Sequence, residues 1–285
     1  MSTVARTDVL RSDTTRQVGV LVLALLATLG AFLGSGALGG TPVAEAADGA
    51  LSATATPVAP GTPAFSIWSV IYTGLLAYAV WQALPARRED RRQRRMGWLA
   101  AASMLLNALW IGVVQLGVLW LSVVVIVALL VVLVLVLRIC LAVPRRSLLE
   151  LVLVDGTFGL YLGWVTIATI ANTAAALAAS DVGPLGLGPT LWSVLLLATA
   201  AMIGLAFALQ TGGRLGFALA LTWGLAWVAV ARTVDEPRDP SVATAAVCAA
   251  VVTLGAALAV RVRTLLADRR ATGAPDVDRT APGPA

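Results

Sequence analysis

Eight long apolar segments, separated by short polar connections, dominate the hydrophobic pattern of the chain. They cover residues 17–39, 65–84, 97–115, 118–141, 151–179, 189–209, 214–232 and 242–264. A helix needs about 20 apolar residues to cross a bilayer, and each segment is long enough. Backbone groups in hydrocarbon must bond within the protein, and runs this continuously apolar do so as helices. The pattern predicts an all-α polytopic integral membrane bundle with eight transmembrane helices.

The arginines alternate between successive connections. Of the 20 basic residues, all of them arginine, 18 lie in or next to one set of connections. These are the segments before the first helix and after the last, and the second, fourth and sixth connections. The other connections hold only Arg232 and Arg238. Because arginine accumulates on the cytoplasmic side of membrane proteins, the alternation predicts that both termini are cytoplasmic.

The segments outside the predicted helices differ in composition. Residues 40–64 are rich in Ala, Thr, Pro and Gly without arginine, which predicts a flexible external loop. Residues 1–16 form a cytoplasmic tail, and the Pro/Gly-rich residues 265–285 a disordered one. Ala44-Glu45-Ala46 resembles a signal-peptidase site, so the first segment has a second interpretation as a cleaved signal peptide. Its apolar run exceeds the 7–15 residues of a signal peptide, which favours a retained helix.

Composition narrows the chemistry. The chain is 59% hydrophobic and 12% charged, about half the charge of a soluble domain. Its lack of histidine excludes imidazole metal ligands, imidazole haem ligands and His-based acid–base catalysis. With no carboxylate cluster in the apolar segments either, we expect no enzymatic activity and no required cofactor. The arginines lie at the ends of apolar segments, which indicates contact with lipid and not nucleic acid.

Aromatic and amide side chains repeat at helical spacing in three of the segments. Trp68 and Tyr72 are one turn apart, Asn107 and Trp110 share a face, and the fifth segment carries one stripe. That stripe consists of Tyr161, Trp164, Ala168 and Asn172. An amide in lipid needs a partner, so the asparagines face other helices or a cavity. Two interpretations stay open: interhelical hydrogen bonds, or a pocket for a flat amphipathic ligand.

Three motifs in this region resemble the TspO/MBR family, the tryptophan-rich sensory or translocator proteins. Pro63 leads into a W-x-x-x-Y motif at residues 68–72, residues 106–110 read L-N-x-L-W, and residues 161–172 read Y-L-x-W-x-x-x-A-x-x-x-N. The resemblance covers residues 17–180, which implies a TspO-like five-helix unit followed by a three-helix extension at 181–264.

The resemblance also implies a function. The family binds porphyrins and other flat apolar ligands within the bundle, so the chain is expected to be a membrane sensor or carrier with a bound tetrapyrrole. The implied ligand-binding residues are Trp68, Tyr72, Asn107, Trp110, Tyr161, Trp164 and Asn172. The alternative is a secondary transporter of a small metabolite or drug, for which Asp155 is the candidate coupling residue.

The remaining charged residues and glycines suggest contacts outside the ligand site. Asp155 and Glu150 lie near the arginine-rich end of the fifth segment, where an ion pair is favoured over a proton relay. The arginines between Arg87 and Arg95 are expected to contact anionic headgroups of the bilayer. Glycines in the first segment permit close helix contacts and leave a homodimer open. The expected location is the bacterial inner membrane.

Overall fold

The computed structural model describes residues 3–36, 41–180 and 187–273. Within that part of the chain, eight helices are long and apolar enough to cross a membrane, as predicted, and no residue is in a β-strand. They are α1 (Thr3–Gly34), α2 (Ile67–Ala83), α3 (Arg91–Gln115), α4 (Leu119–Ala142), α5 (Leu148–Ala179), α6 (Pro189–Thr211), α7 (Leu215–Val234) and α8 (Pro240–Gly273). We call the arginine-rich side inner and the other side outer.

The helix bounds add detail to the N-terminal tail and correct the C-terminal one. The first helix begins at Thr3, so most of the residues assigned to the tail at 1–16 are helical. Asp13 is buried there and accepts hydrogen bonds from Arg94 of α3. The last helix continues to Gly273, so disorder from residue 265 is wrong for its first nine positions. Residues 274–285 lie outside the described part.

The helices pack in a connected order in which α5 is central. Helix α3 packs against α1 and α4, α4 against α5, and α5 against α7, while α8 packs against both α6 and α7. The first helix also contacts α2, and its Gly34 faces Ile111 of α3. That glycine therefore serves a contact within the chain, and nothing in the fold assigns it to a dimer.

Glycines bring α5 and α7 into close contact. A Cβ added at Gly163 would lie 2.2 Å from the backbone oxygen of Phe217, and one at Gly159 would lie 3.3 Å from the Cα of Gly216. Since small residues let membrane helices approach closely and gain dispersion energy, this seam joins the last three helices to the first five.

Helix α5 starts irregularly, three residues before the predicted boundary. Ser147 accepts a hydrogen bond from the backbone N–H of Glu150, after which Leu151–Gly156 form a π-helical stretch before the α-helix resumes at Thr157. Inserted π-turns widen a helix locally and change which side chains share a face. Asp155 lies within this stretch and pairs with Arg92 of α3.

The connection after α2 is tied to α1. Arg16 donates to the backbone oxygen of Arg88 (2.9 Å), and Gln17 donates to the backbone oxygens of Gln82 and Leu84. These bonds join α1 to the bundle at its inner end.

Candidate functional site

A small cavity, the outer cavity, lies between the outer halves of α2, α3, α4 and α5. Its volume is about 50 Å³. Trp68 contributes from α2, Trp110 from α3 and Trp164 from α5. The full lining is Val43, Ala50, Leu51, Ser52, Thr56, Ala59, Pro60, Phe65, Trp68, Asn107, Trp110, Ile126, Leu129, Trp164, Val165, Ala168, Ala171, Asn172 and Ala175.

The structure brings five of the seven predicted ligand-binding residues to this cavity. They are Trp68, Asn107, Trp110, Trp164 and Asn172. The other two, Tyr72 and Tyr161, are not part of the lining; they lie behind Trp68. Tyr72 stacks on Trp68 at 5.2 Å between ring centroids, and Tyr161 meets the same ring edge-on at 5.9 Å. They therefore position Trp68 and do not form the cavity wall.

The aromatic rings at the cavity form one connected cluster. Trp164 meets Trp68 edge-on at 6.2 Å and Phe65 edge-on at 5.7 Å. Edge-to-face pairs at these separations are favourable because ring quadrupoles attract in that geometry. The cluster makes one wall apolar and polarizable, which suits a flat unsaturated molecule.

The two asparagines have different roles, although sequence reasoning treated them alike. Asn172 accepts from the indole N–H of Trp110 and donates to the hydroxyl of Ser122, each at 2.9 Å. The oxygen and the nitrogen of the Asn172 amide are thus both hydrogen-bonded to side chains of neighbouring helices. Asn107 donates to the hydroxyl of Tyr72 at 2.7 Å, and its carbonyl oxygen has no partner among the described residues.

Three buried polar atoms at the cavity lack a partner in the described part of the chain. They are Oδ1 of Asn107, Nε1 of Trp164 and Oγ1 of Thr56. A buried polar group left unbonded costs about 1–3 kcal/mol. An acceptor, a donor and a hydroxyl on residues that line one cavity are the kinds of polar group that orient a bound ligand.

Residues 41–61, which we call the cover segment, close the cavity on the outer side. Seven lining residues come from it, and Val58 and Ala59 within it are buried. The residues predicted to form a flexible external loop at 40–64 lie outside the long helices in the described part up to residue 61, and they pack against the bundle. Residue 40 lies outside the description, and Thr62–Ser66 form a 3₁₀ turn leading into α2.

Helix α7 holds the cover segment, a role that sequence reasoning missed. Arg232 donates to the backbone oxygen of Ala53 (2.6 Å), and the N–H of Gly61 donates to the backbone oxygen of Trp227 (3.2 Å). Arg232 is 1% exposed. An arginine on the otherwise arginine-poor side was the available signal, since a buried guanidinium needs acceptors.

A buried ion cluster lies at the inner end of α5. Arg92 pairs with Glu150 (2.9 Å) and with Asp155 (2.8 Å). Arg214 also binds Asp155 and donates to the backbone oxygen of Cys140 at 3.1 Å. The predicted ion pairing is confirmed, with Arg92 on α3 and Arg214 immediately before α7 as the partners. The expectation that the arginines between Arg87 and Arg95 contact lipid is therefore wrong for Arg92, which is buried in this cluster.

The fold and the site together define a class of protein: an eight-helix membrane bundle with a covered cavity lined by aromatic and amide side chains. A family model described as TSPO-like protein matches residues 20–259. The chain therefore belongs to the TSPO-like family. The match continues through α6, α7 and most of α8, beyond residues 17–180, to which the sequence motifs confined the resemblance. No curated protein and no solved structure matches the chain.

Proposed function

We propose that the chain is a non-enzymatic sensor or carrier in the bacterial inner membrane that binds a tetrapyrrole or similar flat amphiphile in the outer cavity. The observation that carries the proposal is that three residues lining this cavity, Asn107, Trp164 and Thr56, each hold a buried polar atom without a partner in the described chain. They share the lining with the aromatic rings of Trp68 and Phe65. A tetrapyrrole offers matching chemistry: a flat π-system, ring N–H donors and carboxylate acceptors.

The size of the cavity adds a requirement. Sites for organic ligands measure about 300–1,000 Å³, whereas this cavity measures about 50 Å³. A macrocycle therefore enters only if the wall moves. The cover segment is the part of the wall outside the membrane-spanning helices. It is held to α7 by Arg232 and Gly61, and Gln115 of α3 donates to the backbone oxygen of Thr41. Binding is thus coupled to displacement of the cover segment.

The test is saturable quenching of tryptophan fluorescence by protoporphyrin IX, with the purified chain in a mild detergent. Trp164→Phe removes the unpaired indole N–H, and the loss of one neutral hydrogen bond weakens binding about two- to twelve-fold. Trp98→Phe is the matched control, because Trp98 is exposed, lies outside the cavity lining and contributes an equal fluorophore.

A second pair of variants isolates the free carbonyl oxygen of Asn107. Asn107→Ala removes that acceptor, whereas Tyr72→Phe removes only the bond on the other side of the amide. We expect Asn107→Ala to weaken binding more than Tyr72→Phe does. Quenching that fails to saturate, or equal affinities for Trp164→Phe and Trp98→Phe, would contradict the proposed site.

A further inference from the structure

A second and larger space, the inner groove, opens on the other half of the bundle. Its volume is about 570 Å³, and α2, α5, α7 and α8 form its sides. It is separate from the outer cavity, since the two share no lining residue. The lining comprises Val70, Thr73, Gly74, Ala77, Arg145, Leu151, Val152, Leu153, Asp155, Gly156, Thr157, Leu160, Gly213, Arg214, Leu215, Gly216, Leu219 and Arg261.

The walls of the groove are apolar and open to the surrounding lipid. Val70 on α2 is 58% exposed, Val152 on α5 is 63% exposed and Leu219 on α7 is 50% exposed. The π-helical stretch Leu151–Gly156 supplies one wall. A groove with these sides accepts an acyl chain at little cost, because its two threonines, Thr73 and Thr157, already donate to backbone oxygens.

The inner end of the groove is basic. Arg145, Arg214 and Arg261 line it beside one carboxylate, Asp155. The negative charge of Asp155 is already balanced, since the carboxylate pairs with both Arg214 and Arg92. In the described chain, no carboxylate lies within ion-pair distance of Arg145 or of Arg261. Two guanidinium groups therefore face this end without an internal counter-ion.

We propose that the inner groove is a specific site for an anionic phospholipid of the inner leaflet that carries a hydroxylated headgroup. Its phosphate binds Arg145 and Arg261, which supply the positive charge, and an acyl chain lies along the apolar walls. Basic pockets between membrane helices on the cytoplasmic side recognise anionic headgroups in this way. The hydroxyl donates to Oδ2 of Asp155, whose side chain is 5% exposed. This oxygen has no partner among the described residues.

The experiment follows the thermal unfolding midpoint of the full chain in an uncharged detergent during titration with lipid. Dioleoyl phosphatidylglycerol is expected to raise the midpoint saturably, since a ligand that binds only the folded state stabilises it. Dioleoyl phosphatidylcholine, which lacks net charge, and inorganic phosphate, which lacks a chain, are expected to have no such effect. Equal stabilisation by either one would overturn the proposal.

Matched variants locate the site. Arg145→Gln with Arg261→Gln is expected to weaken the apparent affinity about five-fold per arginine. Arg263→Gln with Arg270→Gln removes the same charge from exposed positions outside the groove and is expected to leave the affinity unchanged. Leu219→Trp fills the groove without changing charge and is expected to weaken binding too. An equal loss in both arginine pairs, or an unchanged affinity in the groove pair, would overturn the assignment.

Discussion

Arg232 is expected to set how readily the outer cavity opens. Its guanidinium donates to the backbone oxygen of Ala53 in the cover segment at 2.6 Å and to that of Pro237 at 3.0 Å. The substitution Arg232→Met keeps much of the side-chain volume and removes both donors. Ala53 then loses a bond to α7 that it makes only when the cover segment is closed.

The size of the effect follows from that one bond. A hydrogen bond to a charged group contributes about 1.5–3 kcal/mol. If the bond exists only in the closed state, its loss raises the population of the open state about ten- to 150-fold. The bond from Gly61 to Trp227 remains, so the segment is expected to stay docked for most of the time.

Thiol labelling measures the open population without any ligand. Ala175 lines the cavity and is 3% exposed, so Ala175→Cys places a thiol that reagent reaches only through an opening. Cys140 and Cys248 are first replaced by serine, which removes the two native thiols. When opening is fast relative to labelling, the rate constant with a charged thiosulfonate is proportional to the open fraction. Arg232→Met should raise it by the factor given above, together with the association rate of protoporphyrin.

Arg238→Met serves as the control. Arg238 is a neighbouring outer arginine, largely exposed, which pairs with Glu236 at 3.6 Å and makes no bond to the cover segment among the described residues. Its removal is expected to leave the labelling rate unchanged. A labelling rate in Arg232→Met equal to that of the unmodified sequence, or an equal increase in Arg238→Met, would refute the tether.

Two further predictions concern the stability of the fold. Gly163→Ala places a Cβ 2.2 Å from the backbone oxygen of Phe217. It should lower the free energy of unfolding by about 1–3 kcal/mol and lower the thermal unfolding midpoint. Gly112→Ala is the control, because its Cβ meets nothing within 4 Å and should not lower the midpoint. At Asp239, partial burial raises the pKa, but hydrogen bonds from Thr190 and the first N–H groups of α8 outweigh it and leave the pKa below its ordinary value. That stabilisation is present at neutral pH and is lost as the pH falls through the pKa of Asp239 in the folded protein. At neutral pH, Asp239→Ala should therefore be less stable than the unmodified chain by about 1 kcal/mol. This difference in stability should vanish in acid.

The eight helices could be predicted because membrane spanning is a local requirement. Each apolar run must satisfy its own backbone hydrogen bonds in lipid, so length and composition are enough to predict a helix. The aromatic lining was predictable for a similar reason: Trp110 and Trp164 are spaced so that they share faces with Asn107 and Asn172, and the order of the motifs resembles a known family. These features depend on residues close in sequence.

Only the tertiary structure decided what each polar group does. Asn107 and Asn172 have the same chemistry and both line the cavity. Yet Ser122 and Trp110 bond both ends of the Asn172 amide, while the oxygen of Asn107 has no partner in the described chain. Arg232 reaches a loop 179 residues away. The size of the outer cavity and the basic end of the inner groove also arise from helices distant in sequence. The role of a polar group depends on the partners that helix packing brings within about 3 Å of it. The periodicity of residues along one helix contains no information about those partners.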